Sequence, residues 1–122
     1  MKLVICEKPS VAKAVASALG VTSRADGCFE GNGLIVSWCV GHLVSPMDAA
    51  GYDPGYKKWK YDDLPILPEP FRYVLAKDKE DAFQNLKRLM DREDVTELVN
   101  ACDAGREGEL IFRLVYEMAG CQ

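Results

Sequence analysis

The sequence predicts an α/β sandwich, with a largely parallel central sheet flanked by helices. Three observations predict it. Residues 2–6 read as a short, uninterrupted, β-branched strand, and residues 97–102, around Leu98 and Val99, as a second buried one. Each run leads at once into an acid-bearing polar loop and then into an amphipathic segment of helical length. Further strand-like runs lie between these two strand-loop-helix units, as a layered α/β arrangement requires.

The elements follow in chain order. After the strand at 2–6, Glu7-Lys8-Pro9-Ser10 breaks the pattern. The helix then starts either with Ser10 as N-cap or with Pro9 in its first turn. Val11, Ala14, Val15, Ala18 and Leu19 fall on one helical face, and Gly20 marks the stop. Residues 28–40 read as a hairpin turning at Gly31-Asn32-Gly33. Residues 42–70, rich in Gly, Pro and Tyr, form a long connection, and long connections in small domains are usually functional or disordered. Residues 71–76 suit another strand. Residues 78–92 suit a helix burying Ala82, Phe83, Leu86, Leu89 and Met90. Beyond the strand at 97–102, residues 103–109 enter a last helix with Leu110, Ile111, Leu114, Val115 and Met118 facing inward.

Composition narrows the function. A length of 122 residues with 48% hydrophobic content suits one domain, residues 1–122, with one core. The formal net charge of −4 argues against a general nucleic-acid coat, so any nucleic-acid contact must come from local patches. Five cysteines without a CxxC pair, mostly within apolar runs, argue against a disulfide framework or zinc site and for a reducing cytoplasmic setting. The N-terminus enters a strand directly, so no signal peptide is expected, and no apolar stretch is long enough to span a membrane.

The acids carry the chemistry. Glu7 follows the first buried strand and Asp103 the last, and ligands of open α/β sheets gather at the carboxyl ends of strands. Glu107, four residues beyond Asp103, can turn back toward the same crevice. Singly, each reads as an ordinary loop or first-turn acid. Together, on two matching units, they point to a cation site. All-oxygen ligands of this kind suit Mg²⁺, which keeps several waters. The helix N-termini after Glu7 and around Gly105 favour phosphate. Elsewhere, Tyr56-Lys57-Lys58-Trp59-Lys60-Tyr61 interleaves lysines with aromatics, a pattern suited to a single strand of nucleic acid. The alternative is a solvated loop whose Trp59 packs on its own domain. Asp62 and Asp63 weaken the local field.

Several of these segments resemble one family. Glu7-Lys8-Pro9-Ser10 looks like the opening motif of the Toprim domain of type IA DNA topoisomerases, of the topoisomerase III kind. Asp103-Ala104-Gly105-Arg106-Glu107-Gly108-Glu109 resembles the second Toprim motif, D-x-D-x-E, in its topoisomerase form ending R-E-G-E. Val40-Gly41-His42-Leu43 and Leu64-Pro65-Ile66-Leu67-Pro68 resemble the same family, in the same order.

The resemblance implies a Toprim, Rossmann-like fold and an N-terminal fragment of a larger enzyme that cleaves and rejoins one DNA strand. It implies that Glu7, Asp103 and Glu107 hold Mg²⁺ and that Glu7 helps protonate the leaving oxygen. Lys8 would stabilise charge on the scissile phosphate, Arg106 would stand near the site, and His42 would lie near DNA. Trp59 and Lys58 would add DNA contacts. The implied partners are single-stranded or negatively supercoiled DNA and the remaining domains of the parent topoisomerase. Two departures follow. Gly105 stands where the motif has its middle acid, so one carboxylate fewer is available to a second metal. The family's tyrosine nucleophile belongs to a separate domain, and Tyr52, Tyr56, Tyr61, Tyr73 and Tyr116 match no such motif. The alternatives are another Toprim protein of nuclease or primase type and a non-catalytic single-strand binding module. A phosphoacceptor receiver domain lacks its acceptor Asp and late Lys here.

Overall fold

A computed structural model describes residues 1–121; Gln122 lies outside them. The first strand, β1 (Lys2–Cys6), is the centre of the sheet. It pairs in parallel with β4 (Leu34–Trp38) on one side and with β7 (Glu97–Ala101) on the other. β3 (Cys28–Gly31) runs antiparallel to β4, and β2 (Arg24–Ala25) antiparallel to β3. The order is therefore β2-β3-β4-β1-β7, with four of five strands running the same way.

Alternation along β1 divides the core in two. Val4 and Cys6 face α1 (Pro9–Ala18), together with Val36 and Val21. Leu3 and Ile5 face the opposite layer, α3 (Glu80–Met90) and α4 (Arg106–Ala119). Phe83, Leu86 and Leu89 of α3 and Ile111, Phe112 and Val115 of α4 are buried there. Each such side chain, fully removed from water, contributes roughly 1.5–3 kcal/mol before entropy is counted. An uninterrupted apolar run was needed for β1 because both of its faces are covered.

Local turn chemistry is as expected at two places. Asn32 (φ 53°) and Gly33 (φ 75°) form the two-residue hairpin turn, the left-handed pair that matches strand twist. Gly20, with φ 71°, ends α1 just past its C-cap. At the start of α1, Pro9 takes the first position and Lys8 is the N-cap residue, so Ser10 is not the cap.

Three expectations are corrected. The strand at 97–102 is not fully buried: β7 is an edge strand, and Glu97 and Asn100 are exposed. On α1 the closest face is Ala12 and Ala16, with Val11 and Val15 half-buried and Ala14, Ala18 and Leu19 exposed. Small residues at 12 and 16 let the helix approach the sheet more closely than a valine face would. On α4 the buried stripe is Gly108, Ile111, Phe112, Leu114, Val115 and Ala119, while Leu110 and Met118 are exposed. Gly108 fixes that rotation, because it packs against the Asp103 backbone.

Residues 42–70 are not structureless. They carry β5 (Val44–Pro46), the one-turn helix α2 (Ala49–Tyr52) and 3₁₀ turns at Pro54–Lys57 and Tyr61–Asp63. β5 pairs antiparallel with β6 (Tyr73–Leu75) in a separate two-stranded sheet. No helix among the described residues is long and apolar enough to cross a membrane.

Candidate functional site

Three parallel strands, β4, β1 and β7, deliver their carboxyl ends to one edge of the sheet. Cys6 is in register with Trp38 on one side and Ala101 on the other. Beyond those residues the chain leaves as Cys39–His42, Glu7–Lys8 and Cys102–Glu107. The exit of β4 stays against that of β1. The Cys39 amide donates to the Cys6 carbonyl at 2.8 Å, and the Gly41 amide donates to the Glu7 carbonyl at 3.2 Å. Lys79 holds the same exit from behind, its ammonium donating to the Val40 carbonyl. Lys79 was not foreseen, since nothing local connects it to a strand end 39 residues earlier.

Glu7 occupies the middle of this edge. One of its carboxylate oxygens, Oε1, is sealed from solvent and has no hydrogen-bond partner. A buried carboxylate oxygen without a donor is costly, and such an oxygen is suited to a cation or a proton donor. Lys8 and Arg106 are exposed at the starts of α1 and α4, so two helix N-termini open on the same side. Asp103 is exposed after β7, and its carbonyl accepts from the Gly105 amide at 2.9 Å.

Glu107, in the first turn of α4, accepts a hydrogen bond from Nε2 of His42. The remaining acid of the segment, Glu109, is engaged elsewhere, with Asn100 (2.9 Å) and Arg113 (2.8 Å). The edge thus gathers Glu7, Asp103, Glu107 and His42. No group of three or more His, Cys, Asp or Glu side chains among the described residues stands in metal-holding geometry. Carboxylate oxygens of this kind are donors suited to a hard cation.

Beneath the acids lie three thiols. Burial, and then the neighbouring Cys102, pushes the Cys6 thiol up to about 11. A hydrogen bond to Cys102, and burial, hold the Cys39 thiol far above the usual thiol range. All five cysteines are free.

Lys58 and Trp59 lie on the 54–63 segment, Lys58 exposed and Trp59 72% exposed. The indole also borders an apolar groove of about 320 Å³ with Met47, Tyr52, Leu64 and Phe71. Packing on its own domain therefore covers only a minor part of the ring. A hollow of about 500 Å³ runs along β7 and α4, bordered by Glu97, Asn100, Arg113 and Tyr116, and includes none of the acids foreseen as ligands.

Gly108 explains part of the second acidic segment. It is buried, and a Cβ there would meet the Asp103 backbone, so α4 can start this close to the strand end only with glycine. Gly105 has no such constraint: its φ of −176° is ordinary extended backbone, and a Cβ would meet nothing within 4 Å.

Comparison with known proteins agrees with this layout. The family model described as "Toprim domain" matches residues 2–122. The chain is 45% identical over 118 residues to a protein named DNA topoisomerase 3 from Shouchella clausii, covering 97% of this chain and 16% of that one. It is 42% identical over 117 residues to DNA topoisomerase 3 of Bacillus subtilis and 39% identical over 117 residues to that of Staphylococcus saprophyticus. Each of those matches covers 96% of this chain and 16% of the relative. The chain thus spans about a sixth of the length of these curated relatives. With Glu7 and the Asp103–Glu109 segment at the carboxyl ends of adjacent parallel strands, and the family model matched from residue 2 to 122, the chain belongs to the Toprim domain family.

Proposed function

We propose that residues 1–122 form one Toprim domain within a longer type IA DNA topoisomerase, supplying the acidic half of its active site for transient cleavage and rejoining of one DNA strand. One observation carries this reading. Glu7 and Asp103 leave neighbouring parallel strands at the same edge, and Glu7 keeps a buried oxygen without a donor. The relatives named DNA topoisomerase 3, matched over nearly the whole chain, support the reaction class.

In this reading Glu7, Asp103 and Glu107 would hold Mg²⁺, which when bound neutralises charge on the phosphate. Glu7 would also deliver a proton to the leaving oxygen. Lys8 and Arg106, exposed at the two helix starts, meet the scissile phosphate, and the helix N-termini add their own preference for anions. Donors already aimed at the developing charge stabilise the transition state without reorganising. The strand itself passes His42 and the Lys58–Trp59 patch. The attacking tyrosine comes from another part of the longer protein. A reducing cytoplasm suits the five free thiols.

The test is direct. In an NMR titration of the chain with MgCl₂, the amides of Glu7, Asp103 and Glu107 should shift together. Incubated with negatively supercoiled plasmid and Mg²⁺, the chain should neither relax it nor form a covalent adduct. Independent responses of the two strand ends would refute the shared site. Relaxation or an adduct would refute the missing nucleophile. Multi-turnover nicking without an adduct would favour a Toprim nuclease.

A further inference from the structure

We infer that His42 is a positioning residue for Glu107, holding its carboxylate across the end of β1 so that it faces the same cation as Glu7. The inference rests on the metal-binding reading above and adds to it a residue that supplies no ligand.

The geometry is set by strand order. His42 follows β4 and Glu107 follows β7, while β1, with Glu7 at its end, lies between them. A contact between His42 and Glu107 must therefore pass over the end of β1. The contact joins residues 65 positions apart, and its two partners differ in freedom. The Glu107 side chain is 73% exposed and the His42 side chain 39% exposed. Glu107 has little packing of its own to hold it over the crevice. His42 is anchored, because the preceding Gly41 amide is bonded to the Glu7 carbonyl and Leu43 is buried in the core. The imidazole is thus the fixed partner and the carboxylate the guided one.

The hydrogen bond uses Oε1 of Glu107 and leaves Oε2 for a cation. At the end of β1, the strand between them, Oε1 of Glu7 is sealed from water and has no donor. A cation held by both carboxylates would give the orphaned oxygen a partner. Without His42, the first-turn glutamate can rotate into solvent, and that entropy must be recovered when metal binds. Hydrogen-bond partners of metal ligands typically change affinity by about 10–100-fold. The exposure of Glu107 places the effect near the lower end.

The test uses the 122-residue chain and MgCl₂, read by amide shifts at Glu7, Asp103 and Glu107 and by thermal melting. His42→Ala should weaken Mg²⁺ roughly tenfold while melting stays near wild type. His42→Gln, whose amide nitrogen can replace Nε2, should recover most of the affinity. Glu107→Gln should shift the ring-nitrogen resonances of His42 without any metal, and His42→Ala should add little to its metal defect. Equal or tighter binding by His42→Ala, or no rescue by Gln, overturns the positioning role while leaving the metal site in place. If His42→Ala does not fold, an unchanged His42 ring resonance in Glu107→Gln overturns the contact by itself. A wild-type chain with no Mg²⁺ response at any of the three acids overturns the underlying site, and this inference with it.

Discussion

A Cβ on Gly108 would stand 2.0 Å from the carbonyl oxygen of Asp103 and 2.8 Å from its amide nitrogen. Two effects oppose each other in Gly108→Ala. Alanine favours a helix over glycine by about 1 kcal/mol. The obstructing atoms are backbone, so they cannot swing aside, and overpacking of this kind typically costs about 1–3 kcal/mol. The clash should win. The variant should melt below wild type, with the Asp103 and Glu107 amides displaced; wild-type melting and spectra would show that the helix start has room to spare.

Gly105→Asp should behave in the opposite way. The site is open, the backbone is extended, and residue 105 is the N-cap of α4, where Asp is preferred over Gly by a few tenths of a kcal/mol. Melting should be unchanged or slightly raised. A further carboxylate near Asp103 should tighten Mg²⁺ binding, measured by the same amide titration. Weaker metal binding, or a lower melting temperature, would mean that this edge does not accept a fourth acid.

In a longer topoisomerase carrying this domain, Glu7→Gln separates two roles. If ligation dominates, raised Mg²⁺ should restore much of the lost cleavage; if proton delivery dominates, it should not. Lys8→Ala should reduce cleavage at every metal concentration while melting stays near wild type, because Lys8 is exposed and outside the core. Activity lost only in proportion to stability would make both of them loop residues without a chemical role.

Trp59→Ala should lower affinity for single-stranded DNA, since stacking on an aromatic contributes roughly 1–3 kcal/mol per base. With only Lys57, Lys58 and Lys60 in the patch, binding should be weak and should fall as salt rises. Fluorescence anisotropy with a labelled oligonucleotide at two salt concentrations measures both. Unchanged affinity would assign the indole to the apolar groove beside Met47 and Phe71 alone.

Alkaline stability should report on Cys6. Burial keeps its thiol protonated in the folded chain up to about 11, while in the unfolded chain it ionises near the ordinary thiol value of 9.0. The folded state therefore binds more protons between those values, so stability falls as pH rises through that window, and Cys6 makes it no steeper below it. The loss is of the order of 2–3 kcal/mol. Denaturant titrations across the window should show a shallower decline for Cys6→Ala than for wild type. Part of the slope should remain, because Cys39 is raised in the same direction. Identical slopes would mean that Cys6 does not titrate with unfolding.

Much of this protein is written locally. The apolar run of β1, the Asn32-Gly33 turn, the Gly20 stop and the heptad-like spacing of Phe83, Leu86 and Met90 depend on neighbours within a few residues, so backbone preference and periodicity suffice to read them. The acids could be ranked as candidates for the same reason: Glu7 and Asp103 follow strands, and Glu107 stands in the first turn of the helix that comes next. Strand order, by contrast, is decided by pairing between distant segments. Glu97 and Asn100 interrupt the apolar residues of 97–101, but they do not say which strand lies beside them, and the packed sheet left β7 with an open side. The rotation of α4 was misread because Leu110 and Met118 fit a helical stripe as well as Phe112 and Ala119 do. The contact of Gly108 with the Asp103 backbone decided between them. The hydrogen bond between His42 and Glu107 was likewise invisible, since it exists only because β4 and β7 flank β1. The sequence by itself determined which segments are strands and helices and which acids stand at their ends. The tertiary structure alone decided which of those ends meet, because meeting requires chain segments tens of residues apart to be ordered by a shared core.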